Sequence, residues 1–162
     1  MAQNLLRRYP RRVPVATIEI GADVDLCWTL LADPRLVPEW VPAVAQVDVI
    51  DRDAAGRAVK VAFVGMPSTG SLEYQLDYRY DEDERRVAWS TAGALEREPE
   101  RQIVGEARLE DLGGGRCRLH YALAARAGRA LPQWAKDTLA DDNAEKVARA
   151  FQRFAERRGG AT

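Results

Sequence analysis

Between residues 44 and 125 the chain never returns to a helical period, and this constrains its fold more than any other feature. The clearest stretch is 72–80, where Leu72, Tyr74, Leu76, Tyr78 and Tyr80 alternate with Glu73, Gln75, Asp77 and Arg79. A strand with one dry face and one wet face has this period of two. Runs at 47–51, 58–64, 87–91, 102–110 and 116–125 read the same way, with turns at 54–56, 81–85 and 113–115 and looser connections at 65–70 and 93–100. No crossover helix separates these runs, so neighbouring strands pair antiparallel.

A further strand is expected at 13–20, with Ala16, Ile18 and Ile20 on one side. Asp23 is placed to cap a helix over 24–32, which Asp33-Pro34 closes, and Pro38 and Pro42 around Trp40 allow only a second short helix or turn. Pro132 suits the first turn of a last helix running to about 158. Its apolar residues make two stripes, Leu131, Trp134, Ala135, Thr138 and Leu139, then Ala140, Ala144, Val147, Phe151 and Phe154, so a bend is expected near 141–143. The fold class that follows is α+β: a seven-stranded curved antiparallel sheet wrapped around a long C-terminal helix, with two short helices between strands 1 and 2. Residues 1–12 form a basic arm, 13–158 the domain, and 159–162 a tail.

A chain of 162 residues can bury such a core without disulfides or structural metals. Its 24 Lys and Arg nearly cancel its 25 Asp and Glu, so no overall field attracts nucleic acid. Arg7, Arg8, Arg11 and Arg12 read as a solvated arm, with a peripheral contact to a membrane surface or ribosome as the alternative. With no apolar stretch long enough for a signal peptide or a membrane span, the expected location is the cytoplasm. Cys27 and Cys117 lie in apolar runs outside any Cys/His cluster and read as core residues.

The order of elements resembles the START-like, or helix-grip, superfamily, which includes the polyketide cyclases, dehydrases and lipid-transport proteins and the birch-pollen allergen family. Ile18-Glu-Ile-Gly-Ala-Asp-Val-Asp-Leu-Cys-Trp-Thr-Leu-Leu-Ala-Asp33, followed by Trp40 and Pro42, is similar to the family's strand, turn and helix pair. Gly105 with Leu109, the Gly-rich turn, and Gly128 followed by Leu131-Pro132 match as well. The stretch 31–42 is also similar to the coenzyme Q-binding branch, whose relatives include ribosome-associated proteins. The resemblance implies a pocket for an apolar or aromatic molecule between the sheet and the last helix.

If Leu72, Tyr74, Leu76 and Tyr78 face inwards, parity also turns Val59, Val61, Phe63, Val87, Trp89, Leu119, Tyr121 and Leu123 inwards. Small residues among Ile103, Gly105, Ala107 and Leu109 would leave volume opposite the helix. The same pattern also fits a filled core. The expected ligand-binding residues are Phe63, Tyr74, Leu76, Tyr78, Trp89, Tyr121 and Trp134. Tyr is the only titratable type on the inward face, and the lone His120 falls on the outward one beside Arg118, so no catalytic residue is assigned. No metal or cofactor is implied.

Three functions compete. The first is a binding or transport protein for a small hydrophobic ligand such as a lipid, isoprenoid or aromatic polyketide. The second is a polyketide aromatase/cyclase working through Tyr hydroxyls. The third is an interaction module like the ribosome-associated branch, which would expose an apolar patch at Val37, Trp40 and Val41. No oligomeric state is implied.

Overall fold

The computed structural model describes residues 15–67, 73–91, 102–126 and 143–160. Strand β1 (Val15–Ile20) leads into helix α1 (Val24–Leu31), a 3-10 turn (Pro34–Leu36) and helix α2 (Val37–Trp40). Strands β2 (Val44–Arg52), β3 (Ala58–Gly65), β4 (Glu73–Asp81), β5 (Arg86–Thr91), β6 (Gln102–Gly113) and β7 (Arg116–Arg126) follow, and helix α3 (Asn143–Gly159) ends the described chain. The sheet has the order β1-β7-β6-β5-β4-β3-β2 with every neighbouring pair antiparallel. This is the expected helix-grip architecture. After β1 the chain crosses to the opposite edge through α1 and α2, then meanders back until β7 pairs with β1. The helix pair must therefore span one face of the sheet.

Local chemistry sets the element ends. Asp23 caps α1, its Oδ2 accepting from Asp25 N at 3.0 Å, an interaction whose loss costs about 1 kcal/mol. The β6–β7 hairpin turns through Gly113, Gly114 and Gly115 at φ of 74°, 63° and 75°, a left-handed run that residues with a Cβ resist. Strand β2 starts three residues earlier than expected, at Val44. A register shift between Val44 and Gln46 interrupts the alternation there, burying Val44 while Ala45 and Gln46 face solvent.

The period-two faces stay in phase from strand to strand. Val61 pairs with Leu76, Phe63 with Tyr74, Tyr78 with Trp89, Val87 with Ala107, and Leu109 with Leu119, all on the concave side. Ile20, Val61, Val87, Leu119 and Phe151 are fully buried, each contributing about 1.5–3 kcal/mol. Helix α3 lays Ala144, Val147, Ala148, Phe151, Phe154 and Ala155 into this core. Polar contacts tie the helix down: Gln152 Nε2 donates to Glu19 O at 2.7 Å, Gly21 N to Glu156 Oε1 at 2.9 Å, and Arg158 Nη2 to Glu39 Oε1 at 2.8 Å. Glu145 and Arg149 form a solvent-side pair at 2.7 Å. Residues 141 and 142, where a bend was expected, the stretch from Pro132 where the last helix was expected to begin, and the basic arm lie outside the described residues.

A second polar group fastens α1 to the sheet. Arg57 donates to Glu82 through Nε (2.7 Å to Oε1) and Nη2 (3.0 Å to Oε2), and Trp28 Nε1 donates to the same Oε2 at 2.8 Å. The guanidinium carbon lies 5.6 Å from the Trp28 ring centroid and 5.3 Å from that of Tyr80. The bond from Arg57, aided by Trp28, holds the Glu82 carboxyl below its ordinary value. A lowered folded-state value means that the stabilisation is complete above the unfolded carboxylate pKa of about 4.3 and is lost as pH falls through the folded value. Glu82→Gln should thus make the acid limb of the stability–pH profile shallower. Glu82 is 54% exposed, which limits the change to about 1 kcal/mol. Urea titrations at pH 7 and in the acid range check it, and parallel profiles for the two proteins would show the group to be inert.

Candidate functional site

The concave face of the sheet carries a chain of rings. Phe63 stacks on Tyr74 with centroids 5.3 Å apart, Phe63 lies 6.3 Å from Tyr78, Tyr78 6.1 Å from Trp89, and Trp89 5.5 Å from Tyr121. These contacts follow from registry, because Phe63 opposes Tyr74 and Tyr78 opposes Trp89 on paired strands. At the next pair Trp89 faces Gly105, and its indole occupies the space there: a Cβ on Gly105 would meet Trp89 carbons at 2.1 and 2.2 Å. The small residue at 105 therefore does not open volume opposite the helix, as the sequence suggested. It admits the Trp89 ring.

A cavity of about 140 Å³ remains between the rings and the helices. Phe63, Tyr74, Leu76, Tyr78, Trp89 and Tyr121 form its sheet wall together with Val87, Ile103 and Leu123. Six of the seven expected binding residues thus come together, and the seventh, Trp134, lies outside the described residues. The opposite wall was not anticipated. It consists of Leu31, Pro34, Val37, Trp40, Val41, Ala43 and Val44 from the helix pair and its exit, with Val147 from α3. Pro42 was the available signal, since it stops the helix after one turn, while Pro38 sits in that helix's first turn.

Trp40 is only 8% exposed, and its ring meets Phe151 edge-on with centroids 5.1 Å apart. Val37 and Val41 are half-buried beside it. The exposed apolar patch that an interaction module would present at these three residues is therefore absent. The segment turns its apolar side chains into the cavity because this removes them from water.

The described lining carries no Asp, Glu, Lys, Arg or His. Burial pushes the Tyr74 phenol up to about 12 and raises Tyr78 and Tyr121 as well. All three stay protonated near neutrality, able to donate or accept a hydrogen bond but not to serve as general bases. His120 lies on the convex face, its Nε2 3.1 Å from Glu110 Oε2 and its Nδ1 3.3 Å from Thr17 Oγ1. Cys27 and Cys117 are free, fully buried and adjacent; a hydrogen bond with Cys117, reinforced by burial, pushes the Cys27 thiol up. Neither thiol reaches the cavity lining. Among the described residues no three His, Cys, Asp or Glu side chains gather as a metal site, and no helix is long and apolar enough to cross a membrane.

The family model for polyketide cyclase / dehydrase and lipid transport matches residues 14–158. The chain belongs to that family. No curated protein sequence matches this polyketide cyclase / dehydrase and lipid transport member. Solved structures do. A START superfamily protein from Mycobacterium smegmatis superposes with a TM-score of 0.72 at 16% identity, over 90% of this chain and 97% of the other. The Zhui aromatase/cyclase from Streptomyces sp. R1128 gives 0.69 at 20% identity, over 91% and 94%. Norcoclaurine synthase from Thalictrum flavum, in complex with dopamine and hydroxybenzaldehyde, gives 0.63 at 14% identity, over 90% and 87%. At these identities the likeness is one of fold.

Proposed function

We propose that this protein binds a small hydrophobic molecule in the cavity between sheet and helices, as a carrier rather than a catalyst. The observation that carries the reading is a space of about 140 Å³ whose described walls are apolar apart from neutral phenols and two indole groups. A cavity of about 150 Å³ lined by aliphatic and aromatic groups takes up a benzene-sized guest. The occupant, or the part of an isoprenoid or polyketide that enters, is accordingly on the scale of one ring. The norcoclaurine synthase structure, which holds dopamine and hydroxybenzaldehyde, supports a ring-sized guest in this fold. The free, buried thiols suit a reducing compartment such as the cytoplasm.

An aromatase/cyclase reading draws on the same phenols and on the likeness to the Zhui aromatase/cyclase. It also needs a group that exchanges a proton near neutral pH, and the described lining offers none. Carriage requires only shape and apolar walls.

The test is to purify the protein natively, denature it, and identify the small molecules released by mass spectrometry. Val147→Phe, which places a ring in the cavity, serves as the control. The native protein should release a ring-bearing apolar molecule in near-stoichiometric amount, and the variant at least about tenfold less, at a stability cost of about 1–3 kcal/mol. Equal release from both, with circular dichroism showing both folded, would place the molecule elsewhere and sink the reading.

A further inference from the structure

The cavity opens at one end of the sheet. Among its described lining, Tyr74, Trp89, Ile103 and Leu123 keep part of their surface exposed, whereas Leu76, Val87 and Tyr121, the next inward-facing residues on β4, β5 and β7, are buried. The four exposed residues sit near the start of β4 and β6 and the end of β5 and β7, which antiparallel pairing brings to one side. Val15 pairs with Ala122, so the chain enters β1 level with that opening. Each residue spans at most about 3.6 Å, which keeps Arg12 within about 11 Å of Val15 and Arg7 within about 29 Å.

The segment tethered there is cationic. Residues 1–18 hold Arg7, Arg8, Arg11 and Arg12 and no Asp or Glu, and because the whole chain has a net charge of −1, the remainder carries −5. An anionic surface therefore attracts the arm and repels the body, and that couple turns the opening towards the surface. Leu5, Leu6, Tyr9 and Val13 are interleaved with the arginines. On a nucleic-acid backbone the two leucines would find no apolar surface. At a bilayer they enter the boundary of the acyl chains while the guanidinium groups stay with the lipid phosphates, the two signals that adsorption to a membrane combines.

We propose that the arm docks this protein on anionic membrane surfaces with the cavity opening turned to the lipid. The docking stands on the arm alone. Its use, exchange of an apolar guest with the bilayer without passage through water, rests on the binding reading above.

Sedimentation of the full chain with sucrose-loaded vesicles tests it. The wild type should bind vesicles of phosphatidylglycerol mixed with phosphatidylcholine, bind phosphatidylcholine alone far more weakly, and come off in about 0.5 M NaCl, where the Debye length falls to about 4 Å. Replacing Arg7, Arg8, Arg11 and Arg12 together by Gln should weaken partitioning by roughly several hundredfold, at about fivefold per arginine. Val15→Asp puts a negative charge beside the opening, where the side chain is 62% exposed, and should cost about fivefold. Leu112→Asp, at the far end of β6 and 37% exposed, should change binding by less than about twofold. Urea unfolding checks that each variant is folded, and should Val15→Asp fail to fold, the arm variant still decides. No sedimentation of the wild type, equal sedimentation of the arm variant, or equal effects of the two Asp substitutions would overturn the proposal. So would a wild type that prefers a single-stranded RNA oligonucleotide to the vesicles at the same salt. The cavity is read separately, from the small molecules released on denaturing the wild type and the arm variant, which should match. Release from both without vesicle binding removes the docking and leaves the binding reading, and vesicle binding with an empty cavity does the reverse.

Discussion

Phe151→Ala is expected to remove about 3–5 kcal/mol of folding stability, the largest loss from any single truncation considered in this chain. Phe151 has no exposed surface, and it sits where three layers meet. Its ring packs on Trp40 of α2 at 5.1 Å and on Phe154 of its own helix at 6.4 Å, over the core built by the sheet. Deleting it removes the burial free energy of the ring and leaves a void, because the helix backbone on one side and Trp40 on the other cannot both close in. Against a total stability of about 5–15 kcal/mol for a single domain, this is a large share. At about 2–4 °C per kcal/mol for a chain of this length, Tm should fall by roughly 10 °C. Urea unfolding followed by far-ultraviolet circular dichroism measures the loss, and a value below about 1.5 kcal/mol would mean that the three layers do not depend on this ring.

Gly105→Ala should cost about 2–3 kcal/mol although it adds only one methyl group. The usual gain from replacing glycine in a strand is overridden here, because the new Cβ would fall 2.1–2.3 Å from three atoms of the Trp89 indole. The indole must then leave its place between Tyr78 and Tyr121, where its centroid lies 6.1 and 5.5 Å from theirs. Displaced towards the helices, it would enter the cavity, so the variant should also lose bound ligand. A double-mutant cycle isolates the cause: in a Trp89→Ala background the same substitution should cost less than about 1 kcal/mol. An undiminished cost there would assign the effect to the backbone of β6 instead of the ring.

Both effects turn on residues whose importance was only partly legible beforehand. Phe151 could be placed on a buried stripe of the last helix, and Tyr74, Leu76 and Tyr78 on a dry face, because helix and strand periods are properties of a few neighbouring residues. Asp23 could be read as a cap for the same reason. The early start of β2 could not, since a bulge is a feature of two paired strands and leaves little trace in either one alone. Gly105 was correctly turned inwards but misread as empty space. Its partner Trp89 lies sixteen residues earlier, and only their registry sets the indole against the missing side chain.

Local pattern alone thus determined the class of the fold, the strand and helix order, and which side of each strand is dry, because those depend on backbone geometry repeated over two to four residues. Whether the dry side is filled or hollow was settled only in three dimensions. That outcome depends on how far α1 and α2, strung between opposite edges of the sheet, stand off from the rings beneath them. The same distance brought Trp40 from a proline-flanked turn to the wall of a cavity, because a packing gap is a difference between distant surfaces and no stretch of chain encodes it by itself.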